Sequence, residues 1–109
     1  MARRAASSPI DAEQMRDHAG DAAQLLKALA NEKRLMILCL LVEAERSVNE
    51  LNEQLDLSQS ALSQHLAVLR ADGLVRTRRE AQSIVYSIAP GPAERILQTL
   101  HAVYCGARG

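Results

Sequence analysis

One stretch, Ser58 to Arg79 with the sequence SQSALSQHLAVLRADGLVRTRR, restricts what this chain can fold into more than any other. Winding at about 100° per residue places Leu62, Leu66 and Leu69 on one side of a helix and Ser60, Ser63, Gln64 and Ala67 on the other. The leucine stripe must bury itself in a core. The opposite stripe is short, uncharged and rich in hydrogen-bonding groups, which suits close approach to a surface whose edges carry donors and acceptors, as DNA base edges do. Asp72-Gly73 ends the helix, because glycine takes the left-handed conformation needed there.

The flanking residues extend the pattern in both directions. Upstream, Ser47-Val-Asn-Glu50 is a capping box that opens a short helix carrying Val48, Leu51 and Leu55. Asp56-Leu57 then make a tight connection and Ser58 caps the striped helix. Two short helices joined in this way, the second polar on its outer face, form a helix-turn-helix. Downstream, Leu74 to Glu80 and Ser83 to Ile88 are rich in strand-favouring residues and are separated only by Ala81-Gln82, so they predict a hairpin. Its arms carry Arg76, Arg78 and Arg79. A basic hairpin directly after such a helix reads as a wing whose cations meet phosphates or a narrow minor groove; the alternative is a solvated polar hairpin.

At 109 residues the chain has room for one domain. Phe and Trp are absent and Tyr86 and Tyr104 are the only aromatics, so the core must be built from Leu, Ile, Val, Met and Ala, a composition that favours helices. Formal charge cancels, but the charges are segregated: Asp11, Glu13, Asp17 and Asp21 lie early, Glu43 to Asp56 in the middle, and the arginines follow the striped helix.

Residues 1–8 read as a flexible tail, residues 9–105 as the folded domain and residues 106–109 as a frayed end. Pro9 or Asp11 opens a first helix, which Gly20-Asp21 is expected to interrupt before Ala22 to Ala30. Asn31 caps a helix through Arg34 to Val42 that is apolar on every side and so should be central. Pro90-Gly-Pro92 starts a last helix with a broad face of Ile96, Leu97, Leu100, Val103 and Tyr104. Such a face needs a partner, and a homodimer through the first and last helices of two copies is the simple answer.

No apolar run approaches a membrane span and the start lacks the apolar segment of a signal peptide, so a cytoplasmic protein is expected. Cys39 and Cys105 form no CxxC or zinc-ribbon spacing, which argues against a thiol oxidoreductase; in a reducing compartment a permanent disulfide is not expected. Taken alone, Cys39 reads as a small core hydrophobe on a face with Leu35, Leu38 and Val42.

Across roughly Ala22 to Cys105 the chain resembles the ArsR/SmtB family of dimeric winged-helix repressors. The likeness is carried by LKALANEKRLMILCLL and then by ELNEQLDLSQSALSQHLAVLRADGLVRTRREAQSIVYSI. The fold class implied is mainly α with a small β-hairpin, a dimeric winged helix-turn-helix, and the function implied is binding of double-stranded operator DNA, not enzymatic. Many members sense metals. Where their cysteine-rich site sits, this chain has Ser47, Val48 and Asn49; their other site needs paired ligands along the last helix, where only His101 and distant Glu94 stand, so no metal ligand set or cofactor is expected.

The cysteine pair resembles that of a narrower branch, the BigR, SqrR and HlyU-like sensors of reactive sulfur or oxidants. There one cysteine lies in a central LxILCxL helix and the other directly after a Tyr near the end of the last helix. Cys39 and Tyr104-Cys105 match both positions. The resemblance implies that persulfides, polysulfides or oxidants link Cys39 to Cys105 and release DNA, with a metal- or metalloid-responsive repressor as the alternative. The residues expected on DNA are Ser58, Gln59, Ser60, Ser63 and Gln64 in the recognition helix, with His65 either touching a phosphate or packing, and Arg78, Arg79 and Gln82 in the wing.

Overall fold

The structure, a computed structural model, describes residues 11–105. The expected flexible tail, Pro9 and the frayed C-terminus lie outside the described residues. Five helices and three strands follow in the order α1 (Ala12–Leu29), α2 (Glu32–Glu43), β1 (Arg46–Ser47), α3 (Val48–Gln54), α4 (Gln59–Ala71), β2 (Val75–Glu80), β3 (Ser83–Ile88) and α5 (Pro92–Tyr104).

The helix starts are where the short polar residues stand. Asp11 accepts from the backbone N–H of Glu13 and Gln14, Asn31 from Arg34 and Ser58 from Ala61. At Ser47 the capping box is complete: its Oγ accepts from Glu50 N–H at 3.2 Å while Glu50 accepts from Ser47 N–H at 2.8 Å. The end of α4 is a Schellman turn. Gly73, at φ 74°, donates to Arg70 O at 3.0 Å, Leu74 N–H reaches Leu69 O at 2.9 Å, and Leu74 folds back into the core.

That core is leucine and isoleucine, as the lack of Phe and Trp requires. Ile37 and Leu38 of α2, Leu51 of α3, Leu62, Leu66 and Leu69 of α4 and Leu97 of α5 are fully buried. The leucine stripe of α4 therefore packs inward, and α2 lies beneath it against α5 and the sheet. The expectation that α2 is apolar on all sides holds for its composition, yet Met36 is exposed, so one flank of α2 stays open.

One expectation needs correction and one, the hairpin, is met with an addition. Gly20-Asp21 does not break the first helix, which runs unbroken for 18 residues. A single glycine costs a helix roughly 1 kcal/mol, less than alanine-rich neighbours return. The hairpin, in turn, is part of a three-stranded antiparallel sheet of order β1-β3-β2, because Arg46 pairs with Tyr86 and Ser47 with Val85. The β2–β3 register runs from Val75↔Ile88 to Glu80↔Ser83 around Ala81-Gln82, with Ala81 at φ 58°. A glycine is the usual resident at such a turn, so alanine there carries about 1 kcal/mol of backbone cost.

α1 stands apart from the rest. Residues 11–24 are all exposed, and the first buried side chain is Leu29. The radius of gyration is 16.5 Å, against about 13 Å for a compact chain of this length. Met15 and Leu26 lie with Ala19 and Ala22 on one exposed stripe of α1, and Val103 and Tyr104 are exposed on α5.

Candidate DNA-binding face and thiol cleft

The outer stripe of α4 is open. Ser58, Gln59, Ser60, Ser63, Gln64 and Ala67 are exposed while Leu62, Leu66 and Leu69 behind them are buried, so the helix is held from one side and presents amide and hydroxyl groups on the other. Ser58 Oγ spends one of its hydrogen bonds on the Ala61 N–H, which fixes the start of the helix. Asn52 of α3 donates to Leu57 O at 3.0 Å and ties the turn between the two helices. His65 is half-buried, between the two stripes.

In the wing, strand alternation separates two arginines that are neighbours in sequence. Arg76, Arg78 and Glu80 lie on one face of β2; Thr77 and Arg79 lie on the other. Arg78 is engaged by Glu45, from the loop between α2 and β1, and by Glu80 at 3.6 Å. The hydrogen bond from Arg78 holds the Glu45 carboxyl below its usual range and raises the Arg78 guanidinium further. Arg70, Arg76 and Arg79 are exposed, and none has an ion-pair partner among the described residues. Gln82 is exposed at the tip of the turn.

The cysteines, 66 positions apart (105 − 39), come together. Both line a cleft of about 240 Å³ between α2 and α5, with Met36, Leu40, Glu43, Gln54, Leu55 and His101. Both are free thiols, Cys39 half-buried and Cys105 exposed. Burial pushes the Cys39 thiol up, and the negative charge of Cys105 and of Glu43 pushes it further. At the rim, His101 Nε2 meets Glu43 Oε2 at 2.9 Å, which holds the Glu43 carboxyl below its usual range. The other oxygen of Glu43 accepts from Arg46 Nη2 at 3.1 Å, and Arg46 Nε donates to Leu40 O at 3.0 Å.

The family resemblance paired Cys39 with Cys105, but sequence reasoning did not bring His101 to Glu43, and it missed Glu43 and Glu45 as partners. Their partners are 58 and 33 residues away, beyond the reach of any local pattern. One signal was present: Cys39 and Glu43 are one turn apart on α2, and His101 and Cys105 are one turn apart at the end of α5. Among the described residues no three His, Cys, Asp or Glu side chains are grouped to hold a metal ion. No helix among the described residues is long and apolar enough to cross a membrane.

Comparison with known proteins bears on the fold and the DNA-binding face. Residues 31–77 match the model of the bacterial regulatory protein arsR family. The transcriptional activator HlyU of Vibrio cholerae is 50% identical over 100 residues, covering 92% of this chain and 93% of that protein. The structure of its reduced form superposes with a TM-score of 0.80 at 52% identity, covering 85% of this chain and 98% of the other. The transcriptional repressor BigR of Xylella fastidiosa superposes with a TM-score of 0.83 at 39% identity, covering 91% and 98%. A homodimeric winged helix-turn-helix DNA-binding domain of Mycobacterium bovis does so with a TM-score of 0.70 at 31% identity, covering 85% and 86%.

Proposed function

Since the chain belongs to the arsR family of bacterial regulatory proteins and is a DNA-binding transcription regulator rather than an enzyme, we propose that it is a dithiol-controlled repressor. It binds operator DNA as a homodimer and lets go when reactive sulfur species or oxidants link Cys39 to Cys105. The observation that carries this reading is the convergence of the two thiols in one cleft between α2 and α5. A metal-responsive repressor has less support, because the cleft offers two thiols and one imidazole whose Nε2 is already taken by Glu43.

Two copies join through α1 and α5. The exposed apolar stripes of these helices, Met15 and Leu26 on one and Val103 and Tyr104 on the other, supply the apolar area that a lone subunit leaves in water. The homodimeric relative from M. bovis supports a two-fold assembly as such. Each copy then presents one α4, and a two-fold axis sets the pair about 34–36 Å apart for successive major grooves. Gln59, Ser60, Ser63 and Gln64 read base edges, with Ser58 and His65 at the flank. Arg79 and Gln82 reach the backbone or the minor groove, and Arg78 joins them on exchanging Glu45 for a phosphate. Reading DNA places the protein in the cytoplasm.

The switch follows from geometry. α2 carries one thiol and underlies the recognition helix; α5 carries the other and belongs to the dimer contact. A covalent tie between them stabilises one relative placement of the two α4 helices over another, and DNA affinity falls if the tied placement misses the groove spacing. The test is DNA binding and intact mass measured on the same samples after polysulfide, peroxide and disulfide treatment, using a DNA probe selected from a random pool by the reduced protein. The account expects polysulfide to change both together. Unchanged affinity in a fully linked sample would remove the switch.

A further inference from the structure

The last turn of α5 is held weakly by burial. Leu97 is fully buried, but Ala102 to Cys105 are all exposed, and Cys105 is the residue at which the helix ends, its N–H bonded to His101 O at 2.8 Å. Helix ends fray, so burial within one subunit leaves the position of Cys105 relative to Cys39 loosely defined. Among the described residues, one side-chain hydrogen bond ties this turn to the rest of the subunit, that of His101 to Glu43.

Its place is informative. Cys39 and Glu43 are four residues apart on α2, and His101 and Cys105 are four residues apart at the end of α5. The 43–101 contact joins the later residue of one pair to the earlier residue of the other, as in helices passing in opposite directions. Four residues of helix, about 6 Å of rise, then bring Cys39 and Cys105 to the next rung, where both line the same cleft. Glu43 is itself fixed by Arg46, whose strand β1 pairs with β3 of the wing.

We infer that Glu43 and His101 are positioning residues for the dithiol: their contact holds the last turn of α5 so that Cys105 meets Cys39, and it governs the closing step rather than the first attack. The inference rests on the dithiol reading above. In the first step the exposed Cys105 thiolate attacks a sulfane sulfur of a polysulfide. A Cys105 S–S bond forms, the polysulfide S–S bond breaks, and the shortened polysulfide leaves with the electron pair. In the second, Cys39 gives its proton to solvent and attacks the Cys105 sulfur; the Cys39–Cys105 bond forms and hydrosulfide leaves. Two thiols lose two electrons and one sulfane sulfur gains them. Only the second step needs the two helices in register.

The test uses the full chain, reduced, as wild type, Glu43→Ala, Glu43→Gln and His101→Ala. Rapid quench and intact mass follow the adduct and the linked form with sodium tetrasulfide, and in parallel with diamide, which links paired thiols without a sulfur effector. The adduct is expected to form at the wild-type rate in all four proteins. Closure is expected to slow about ten- to a hundredfold in Glu43→Ala and His101→Ala with both reagents, so the adduct accumulates. Glu43→Gln is isosteric at an exposed site and its amide oxygen still accepts from His101, so it restores closure toward wild type. Wild-type closure rates in Glu43→Ala and His101→Ala overturn the inference. Closure that depends on both residues with diamide, in a protein that tetrasulfide leaves unlinked, upholds the positioning role and sinks the sulfur reading instead.

Discussion

Arg78→Ala and Arg79→Ala are neighbouring substitutions of the same kind, yet their effects on DNA binding are expected to differ. Among the described residues Arg79 is exposed without an ion partner, whereas Arg78 on the opposite strand face is engaged by Glu45 and Glu80. Each phosphate neutralised by a protein cation contributes about 0.9 to the slope of log affinity against log salt, so two wings using Arg79 contribute about 1.8. The same arithmetic gives Arg78 less, since its charge sits between two carboxylates that any nearby phosphate also meets. Arg79→Ala should therefore flatten the slope by about 1.8 and weaken binding to all sequences alike, while Arg78→Ala changes it by less than half as much. Glu45→Gln, which removes one of the two carboxylates on Arg78, should steepen the slope. The assay is fluorescence anisotropy with one duplex over a series of salt concentrations. Equal flattening by Arg78→Ala and Arg79→Ala would refute the reasoning, as would a Glu45→Gln protein with the wild-type slope.

Other outcomes follow from the same geometry. Gln64→Ala removes an amide from the exposed stripe of α4 and is expected to cost about 1–3 kcal/mol of binding and relax sequence preference, read by competition among single-base variants of the site. Leu97→Ala empties a fully buried position in α5 and should lower unfolding stability by about 2–5 kcal/mol in urea titrations at fixed protein concentration. Leu26→Asp places a charge on the exposed stripe of α1 and should shift sedimentation velocity toward the monomer; an unchanged dimer would move the interface elsewhere. Because burial and then Cys105 raise the Cys39 thiol, the pH midpoint for Cys39 alkylation should lie above the ordinary thiol range. Less thiolate is then present at neutral pH than in a free cysteine, and Cys105→Ser should lower that midpoint without bringing it fully back.

Much of this fold is legible locally because it is built from local devices. Asp11, Asn31, Ser47 and Ser58 each cap the helix their position announces, and Gly73 closes α4 in the one conformation it is there to supply. The leucine period of α4 identifies its buried face. β1 is different: Arg46 and Ser47 have little strand preference, and they form a strand only because β3, about forty residues on, offers an edge. Gly20 misleads in the other direction, since a weak local penalty does not decide an 18-residue helix. Of the candidate site, the separation of Arg78 from Arg79 was available in the strand alternation itself. The contacts of Glu43 with His101 and of Glu45 with Arg78 were not, because only the packing of α5 and of the wing against the end of α2 creates them.

In the proposed switch, one covalent event between Cys39 and Cys105 sets DNA affinity. Its most direct test is binding of wild type, Cys39→Ser and Cys105→Ser to one selected duplex before and after sodium tetrasulfide, with intact mass taken from each sample. The account predicts that all three reduced proteins bind, that only wild type acquires a link within the subunit, and that only wild type lets go of the DNA. Release of DNA by either serine variant, or retention of DNA by linked wild type, contradicts it.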